Sequence, residues 1–196
     1  MILFYTAIAL LALAGISINK TSFHRDYLSK EKTNAIKGIF LLFVFISHAI
    51  PYLLRCGYEF DAIGDNTLRS IQIHMGQLVV VMFLFYSGYG IGESYKKKGV
   101  NYVQQMPVHR ILTTLLNFDV AVLFFIIACL ILSVPLTVKQ CLLSFLAWDS
   151  VGNSNWYIFC ILICYTISFL TLKFAPQKAK VVITFILLIM VSLDKT

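Results

Sequence analysis

Charged side chains are scarce in this sequence of 196 residues, where they make up 13% of all positions. A soluble domain has about 25% charged and about 45–50% apolar residues. Here 59% of the residues are hydrophobic, and the mean hydropathy is +0.83. Few soluble folds could bury so much apolar surface, but a bilayer accepts it because lipid is itself an apolar solvent. The composition therefore argues against an ordinary soluble domain and predicts an integral membrane protein.

Acidic residues are scarcer still, at 9 against 16 lysines and arginines, which gives a net charge of +7. The basic residues form short clusters between apolar runs, a pattern typical of topology signals and contacts with anionic lipid, and no nucleic-acid partner is predicted. The 5 cysteines include no CxxC pair, and we interpret them as small apolar residues in helix packing. No metal site is predicted, because the chain lacks further ligands at suitable spacing.

The apolar residues fall into about six runs that suit helices crossing a bilayer, for which about 20 residues are needed. These runs cover residues 2–18, 36–54, 78–91, 111–134, 156–172 and 181–193. The first run has no lysine or arginine before it, so we interpret it as an uncleaved helix rather than a secretory signal peptide. The predicted fold is all-α, a polytopic transmembrane bundle of about six spanning helices in a single domain, residues 1–196.

Lysine and arginine are concentrated in alternate loops of this predicted bundle. The loops rich in them are residues 19–35, 94–110 and 173–180. The positive-inside rule predicts that these loops are cytoplasmic and that the N-terminus lies outside the cell membrane. Residues 135–155 are then an external turn rich in polar residues and glycine, with Trp148 and Trp156 in the aromatic belt at the interface.

His48 is the most informative polar residue, because it lies well inside the apolar run of residues 36–54. An ionisable group at that depth is costly and usually faces a cavity or a partner, and a histidine suits general base catalysis near neutral pH. Lys37 precedes it by eleven positions, which places both on one helix face, about 16 Å apart along the axis. A long donor with phosphates at one end could lie along that face. Equally, His48 could bond a neighbouring helix and Lys37 could only snorkel.

The stretch of residues 32–48 resembles the first core helix of the membrane acyltransferase 3 family, which includes O-acetyltransferases of bacterial surface polysaccharides. Its signature is a basic residue, usually arginine, then ten residues and a histidine; here Lys37 replaces the arginine. Lysine keeps the charge but lacks the planar fork of arginine. Three further stretches resemble the family in the same order, namely Met82-Phe83-Leu84-Phe85-Tyr86-Ser87-Gly88-Tyr89, Val108-His109-Arg110-Ile111-Leu112 and Asn155-Trp156-Tyr157-Ile158-Phe159.

The resemblance covers residues 32–172, which would correspond to the N-terminal half of a usual family domain. Family domains have about ten helices, and the helix at residues 2–18 is an addition to the family pattern. We therefore expect the chain to be truncated, and we expect the 196-residue product to be inactive by itself.

The resemblance implies that an acyl group, most often acetyl, passes from a cytosolic acyl-coenzyme A to a hydroxyl of a sugar or other envelope component. His48 would be the general base, and Lys37 and Arg110 would bind the acyl donor. The side chains expected to line the pocket are those of Ser87, Tyr89 and Trp156. The implied partners are acyl-coenzyme A as co-substrate, the carbohydrate or envelope acceptor and membrane lipid, and no separate cofactor is expected.

Two other interpretations stay open at the level of the sequence. One is a transporter or flippase subunit, in which His48, Lys37 and Asp119 relay protons inside the bundle. The other is a fragment that inserts into the membrane but has no activity. A transporter would move an unmodified solute, whereas an acyltransferase would leave an acylated product.

Overall fold

The computed structural model describes residues 28–59 and 63–175, together with Thr6, Ala7, Leu10 and Ala14. Every regular element within these residues is helical, as the sequence predicts. The chain divides into two compact units, residues 1–89 and residues 90–196.

The helices follow one another with short connections. In chain order they are α1 (Lys30–Arg55), α2 (Ile63–Lys98), α3 (Val100–Met106), a π-helical segment (Pro107–Leu112), α4 (Thr113–Ile131), α5 (Val138–Phe145) and α6 (Trp156–Phe174). α1 begins where Thr33 is buried and its hydroxyl donates to the carbonyls of Ser29 and Lys30, at 2.9 and 3.1 Å. These bonds run from the threonine side chain to carbonyls of the preceding turn, a local pattern that threonine commonly forms in helices.

Three stretches within the described residues are long and apolar enough to cross a membrane: Lys30–Arg55, Val100–Ile131 and Trp156–Phe174. They contain the predicted runs at 36–54 and 156–172 and all but the last three residues of the run at 111–134. The predicted runs at 2–18 and 181–193 lie outside the described residues, apart from the few positions near the N-terminus. The run at 78–91 belongs to the 36-residue helix α2, which is not one of the three. A count of about six spanning helices is therefore not confirmed.

Several segments predicted as loops are helical. The segment 94–110 is helical except for a break at Gly99, where φ is +55°, a value that favours glycine. α2 already begins at Ile63, well before the predicted apolar run at 78–91. The polar segment 135–155 contains the short helix α5. The sequence did not predict these helical residues, because an apolar run marks only the part of a helix that lies in the membrane. A helix can continue into polar residues outside the membrane.

The second unit is built around an apolar cluster between α4 and the segment that follows it. Its buried members are Phe118, Val122, Ala147 and Val151. Around them pack side chains of α4, α5, α6 and the connections, including those of Ile126, Leu136, Cys141, Phe145, Ile158, Phe159 and Leu162. Farther along α6, toward its C-terminus, the buried residues are Ile161, Tyr165, Ser168 and Thr171. This second buried stripe follows one face of the helix and contacts α3 and the π-helical segment.

Candidate functional site

Lys37 of the first unit is held beside an aromatic ring. Its ammonium nitrogen Nζ lies 5.4 Å from the ring centroid of Tyr86, which is itself buried. A cation over an aromatic face is attracted by the negative potential of the ring, an effect worth about 0.5–2 kcal/mol depending on exposure. The ammonium group is therefore positioned on the helix face of α1 instead of swinging freely.

His48 lies on the same helix α1 and its side chain is exposed. Its separation from Lys37 by eleven residues corresponds to about 16 Å along the axis at about 1.5 Å per residue. The neighbouring Ile50 is buried, so the helix presents His48 outward while an adjacent side chain anchors it. The pairing of a cation and a histidine on one helix face, predicted from the spacing, suits the continuous helix Lys30–Arg55.

The second unit contains a cleft of about 380 Å³ whose lining includes two cations, Lys98 and Arg110. Its walls are formed by the side chains of Ser94, Lys98, Tyr102, Gln105, His109 and Arg110. None of these described lining residues is acidic. The hydroxyl groups of Ser94 and Tyr102 and the amide group of Gln105 can donate hydrogen bonds. Such a combination of cations and neutral donors suits an anionic, oxygen-rich group such as a phosphate.

The nearest acidic residue in the sequence is paired elsewhere. The carboxylate of Glu93 accepts a 2.8 Å hydrogen bond from Lys96, one turn along the same helix. This bond and the charges of Lys96 and Lys97 hold the pKa of the Glu93 carboxyl below its ordinary value. The carboxylate is thus ionised and occupied by Lys96, while Lys98 lines the cleft.

Arg110 is fixed in the cleft by two tyrosines. Its Nε donates a 3.2 Å hydrogen bond to the hydroxyl oxygen of Tyr102. Its Cζ lies 6.0 Å from the ring centroid of Tyr165, a buried residue of α6. Close to it on α2, a Cβ placed at Gly90 would come within 3.9 Å of Nη2. Because Nε is engaged by Tyr102, the terminal nitrogens of the guanidinium are the groups available to a ligand.

A change of helix type coincides with this site. The segment Pro107–Leu112 is π-helical, and both the backbone N–H and the hydroxyl of Thr113 donate to the carbonyl of Val108. A π turn places one more residue in the turn than an α-helix does, which shifts the faces of the helix on either side of it, and such turns occur frequently at functional sites. Here it carries His109 and Arg110 into the cleft.

The other predicted pocket residues are placed separately. Ser87 is partly buried in α2, and Tyr89 is exposed and stacked on Phe85, with ring centroids 6.5 Å apart. Trp156 is the first residue of α6 and is exposed. It lies about 14 Å along the helix from Tyr165 and so is remote from the cleft around Arg110.

A family model described as an acyltransferase domain matches residues 31–194. The chain belongs to the acyltransferase 3 family. The match confirms the resemblance seen in the sequence and extends it, since it includes Lys37, His48 and the basic cleft together with the residues after 172. Searches among curated proteins and among solved structures gave no match. Membership of this family and the three helices that are apolar enough to cross a bilayer together indicate a membrane protein.

Sequence reasoning did not find two residues that line the cleft, Tyr102 and Gln105, or the two rings that hold the cations, Tyr86 and Tyr165. Tyr102 and Gln105 share a face with His109, because these positions are spaced by about one and two helical turns, so the helical period could have indicated them. Tyr86 and Tyr165 carry no such signal. Each contacts a cation that is far away in the sequence, and only the packing of separate helices brings them together.

Proposed function

We propose that this membrane protein transfers an acyl group, most often acetyl, from a cytosolic acyl-coenzyme A to a hydroxyl of a sugar or other envelope component. The observation that carries the proposal is that the acyltransferase domain matched over residues 31–194 includes the helix with Lys37 and the exposed His48. The proposed location is the cell membrane, with the N-terminus outside and the loops 19–35, 94–110 and 173–180 cytoplasmic, from the positive-inside rule.

The donor is the part of the reaction that the charges support best. Coenzyme A carries phosphates, and each unit presents a cation held by tyrosine side chains, Lys37 by Tyr86 and Arg110 by Tyr102 and Tyr165. The cleft around Arg110 adds Lys98 and neutral hydrogen-bond donors. Positioned cations of this kind bind phosphate oxygens through charge-assisted hydrogen bonds. We therefore assign Lys37 and Arg110 to donor binding.

His48 is assigned the role of general base. A neutral imidazole takes the proton of the acceptor hydroxyl while the hydroxyl oxygen attacks the carbonyl carbon of the thioester. The C–S bond then breaks, the coenzyme A sulfur leaves and takes up a proton, and the imidazole returns to its neutral form. These steps need no metal or redox cofactor, so the acyl-coenzyme A is the co-substrate.

Substitution of His48 tests the proposal. Because a general base contributes about 10²–10⁴-fold to the rate, His48→Ala should lower kcat at least about 100-fold. His48→Gln keeps the size and hydrogen bonding but cannot take up a proton at neutral pH, so it should be nearly as inactive. Acyl transfer per folded molecule is measured in vesicles at equal protein levels, in a form of the protein that is active before the substitution is made.

The pattern across these variants separates catalysis from structure. A structural histidine would be replaced well by glutamine, and alanine would reduce the amount of folded protein rather than the turnover per molecule. Near-normal turnover of His48→Gln would therefore refute the assignment. Movement of an unmodified solute that depends on His48, without any acyl product, would instead indicate a transporter. In that case Asp119, whose Oδ1 is buried without a hydrogen-bond partner among the described residues, would be the first residue to examine.

A further inference from the structure

We propose that residues 137–155 form a re-entrant segment, which folds back into the hydrocarbon layer beside the far end of α4 and presents the outer face of α5 to lipid acyl chains. The sequence alone suggested that this segment is a turn at the membrane surface. The inference goes beyond the proposed acyltransfer and does not depend on it.

The relative lengths of α4 and α6 leave space for such a segment. The two helices run in opposite directions, since Arg110 contacts Tyr165 while Phe118 and Val122 share a cluster with the earlier α6 residues around Ile158. From Arg110 the helix continues for about 31 Å to Ile131, at about 1.5 Å per residue. From Tyr165 back to its first residue, α6 extends only about 14 Å. α6 therefore begins well short of the end of α4.

Residues 137–155 occupy the space beside this last part of α4. The thiol of Cys129 donates to the carbonyl of Val151 at 3.4 Å. A Cβ placed at Gly152 would lie 3.8 Å from Cδ1 of Phe125, so glycine allows a close approach there. Ala147 and Val151 belong to the buried cluster with Val122, which is about 14 Å along the helix from Ile131. The segment is thus packed along the side of α4 instead of lying over its end.

The exposed side chains of α4 are apolar as far as its end, as expected of a helix surrounded by lipid. The distance of about 31 Å from Arg110 to Ile131 equals the hydrocarbon thickness of about 30 Å. The exposed side chains on the final turns are apolar, as shown by Leu123, Phe124, Ile127, Leu130 and Ile131. If lipid covers these residues, whatever packs beside them lies at the same depth.

α5 has the polarity of a helix that faces lipid. The exposed side chains of this helix and the turn after it include Val138, Leu142, Leu146 and Trp148, at 77, 64, 60 and 69% of their full accessibility. The first three are spaced by one helical turn and form a stripe. The polar residues point the other way, since Ser144 is fully buried and Gln140 bonds within the segment. A surface helix in water shows the reverse arrangement. Lys139 is exposed, and its long side chain can extend to the interface.

Several backbone groups of the segment bond to its own side chains, which lowers the cost of irregular backbone at membrane depth. Nε2 of Gln140 donates to the carbonyl of Ser150 at 2.8 Å. Nδ2 of Asn155 donates to the carbonyls of Ala147 and Asp149, at 3.0 and 2.9 Å. The side chain of Asn153 accepts from the N–H of Val151 at 3.1 Å. In water, solvent could replace these side-chain bonds, whereas in hydrocarbon a backbone group without a partner is costly.

Lipid is the occupant that the outer face of α5 fits. The connection between α4 and α5 at residues 132–137 also exposes the apolar side chains of Leu132 and Val134, which acyl chains can cover as well. A second copy of the chain or another protein could also cover an apolar stripe. A protein partner would shield Trp148 from quenchers in the lipid, whereas lipid contact would expose it to them.

The position of Trp148 provides a direct test, because the chain has only 2 tryptophans. Trp156→Phe leaves Trp148 as the sole emitter, and Trp148→Phe leaves Trp156 as the matched control. The full chain is reconstituted in phosphatidylcholine vesicles with bromine on the acyl chains or without it, and acrylamide is added as an aqueous quencher. We expect bromolipid to cause a larger loss of Trp148 emission than acrylamide does. If Trp156→Phe does not fold, the difference between the wild-type and Trp148→Phe emission gives the same quantity.

The other results would overturn the proposal. Strong quenching of Trp148 by acrylamide would show a segment in water if bromolipid has no effect, and a turn at the membrane surface if bromolipid quenches as well. Protection from both quenchers would show that protein covers the face, and cross-linking between copies would then tell a second copy from another partner. Bromine near the chain methyl ends should also quench Trp148 less than bromine near the glycerol, because the indole contacts Phe159, only about one helical turn from the start of α6.

Discussion

The contact between Arg110 and Tyr165 predicts how donor binding should respond to a change that leaves every cation in place. The guanidinium Cζ lies 6.0 Å from the ring centroid, and Tyr165 is buried on α6. Tyr165→Phe keeps the aromatic face, whereas Tyr165→Leu removes it and retains an apolar side chain. If the ring holds Arg110 in the geometry that binds a donor phosphate, only the leucine variant should bind the donor more weakly.

The contact geometry sets the expected magnitude. Arg110 is partly buried, so the cation–π interaction should be worth about 1 kcal/mol, between the values for exposed and desolvated sites. If all of it serves to orient the guanidinium, the leucine variant should raise the Kd for acetyl-coenzyme A about fivefold. The phenylalanine variant should stay within about twofold of wild type, because a phenyl ring retains most of the attraction.

Direct binding is the appropriate assay, because it does not require turnover. Radiolabelled acetyl-coenzyme A is titrated into the purified protein in detergent, and folding is checked by thermal unfolding of each variant. Arg110→Gln serves as the reference for complete loss of the cation. Equal affinity of the wild-type, phenylalanine and leucine proteins, with Arg110→Gln much weaker, would show that Arg110 binds without the help of the ring. Equal affinity of all four would remove Arg110 from the donor site.

Three further predictions follow from particular contacts. Lys37→Arg should keep or increase acyl transfer and Lys37→Met should raise the donor KM, so equal kinetics in all three forms would reduce Lys37 to an interfacial anchor. Asn155→Ala should destabilise the protein by about 1–3 kcal/mol, because it leaves two backbone carbonyls unbonded, whereas Ser154→Ala on the exposed side should change the thermal midpoint little. Lys96→Met should raise the pKa of Glu93 toward its ordinary value in an NMR titration. Since that pKa is lowered in the folded protein, the pair stabilises above the unfolded pKa and its small contribution disappears as the pH falls.

Composition and the length of the apolar runs were enough to predict a helical membrane protein. A helix can span the hydrocarbon layer only if enough consecutive residues are apolar, and that number can be read from the sequence. The spacing of Lys37 and His48 placed them on one face because helical geometry is local. The motif residues also led to the acyltransferase family, which the match over residues 31–194 confirms.

The tertiary structure decided what no local rule contains. The two rings that hold the cations, Tyr86 for Lys37 and Tyr165 for Arg110, lie on other helices, so their roles arise from packing over long sequence separations. The segment 135–155 looked like a surface turn because polar residues usually face water. In the folded chain Gln140 and Asn155 instead satisfy the backbone from within, while the apolar side chains of α5 point outward. Residue types indicate how much polar bonding a segment needs, and only the fold determines whether water or the protein supplies it.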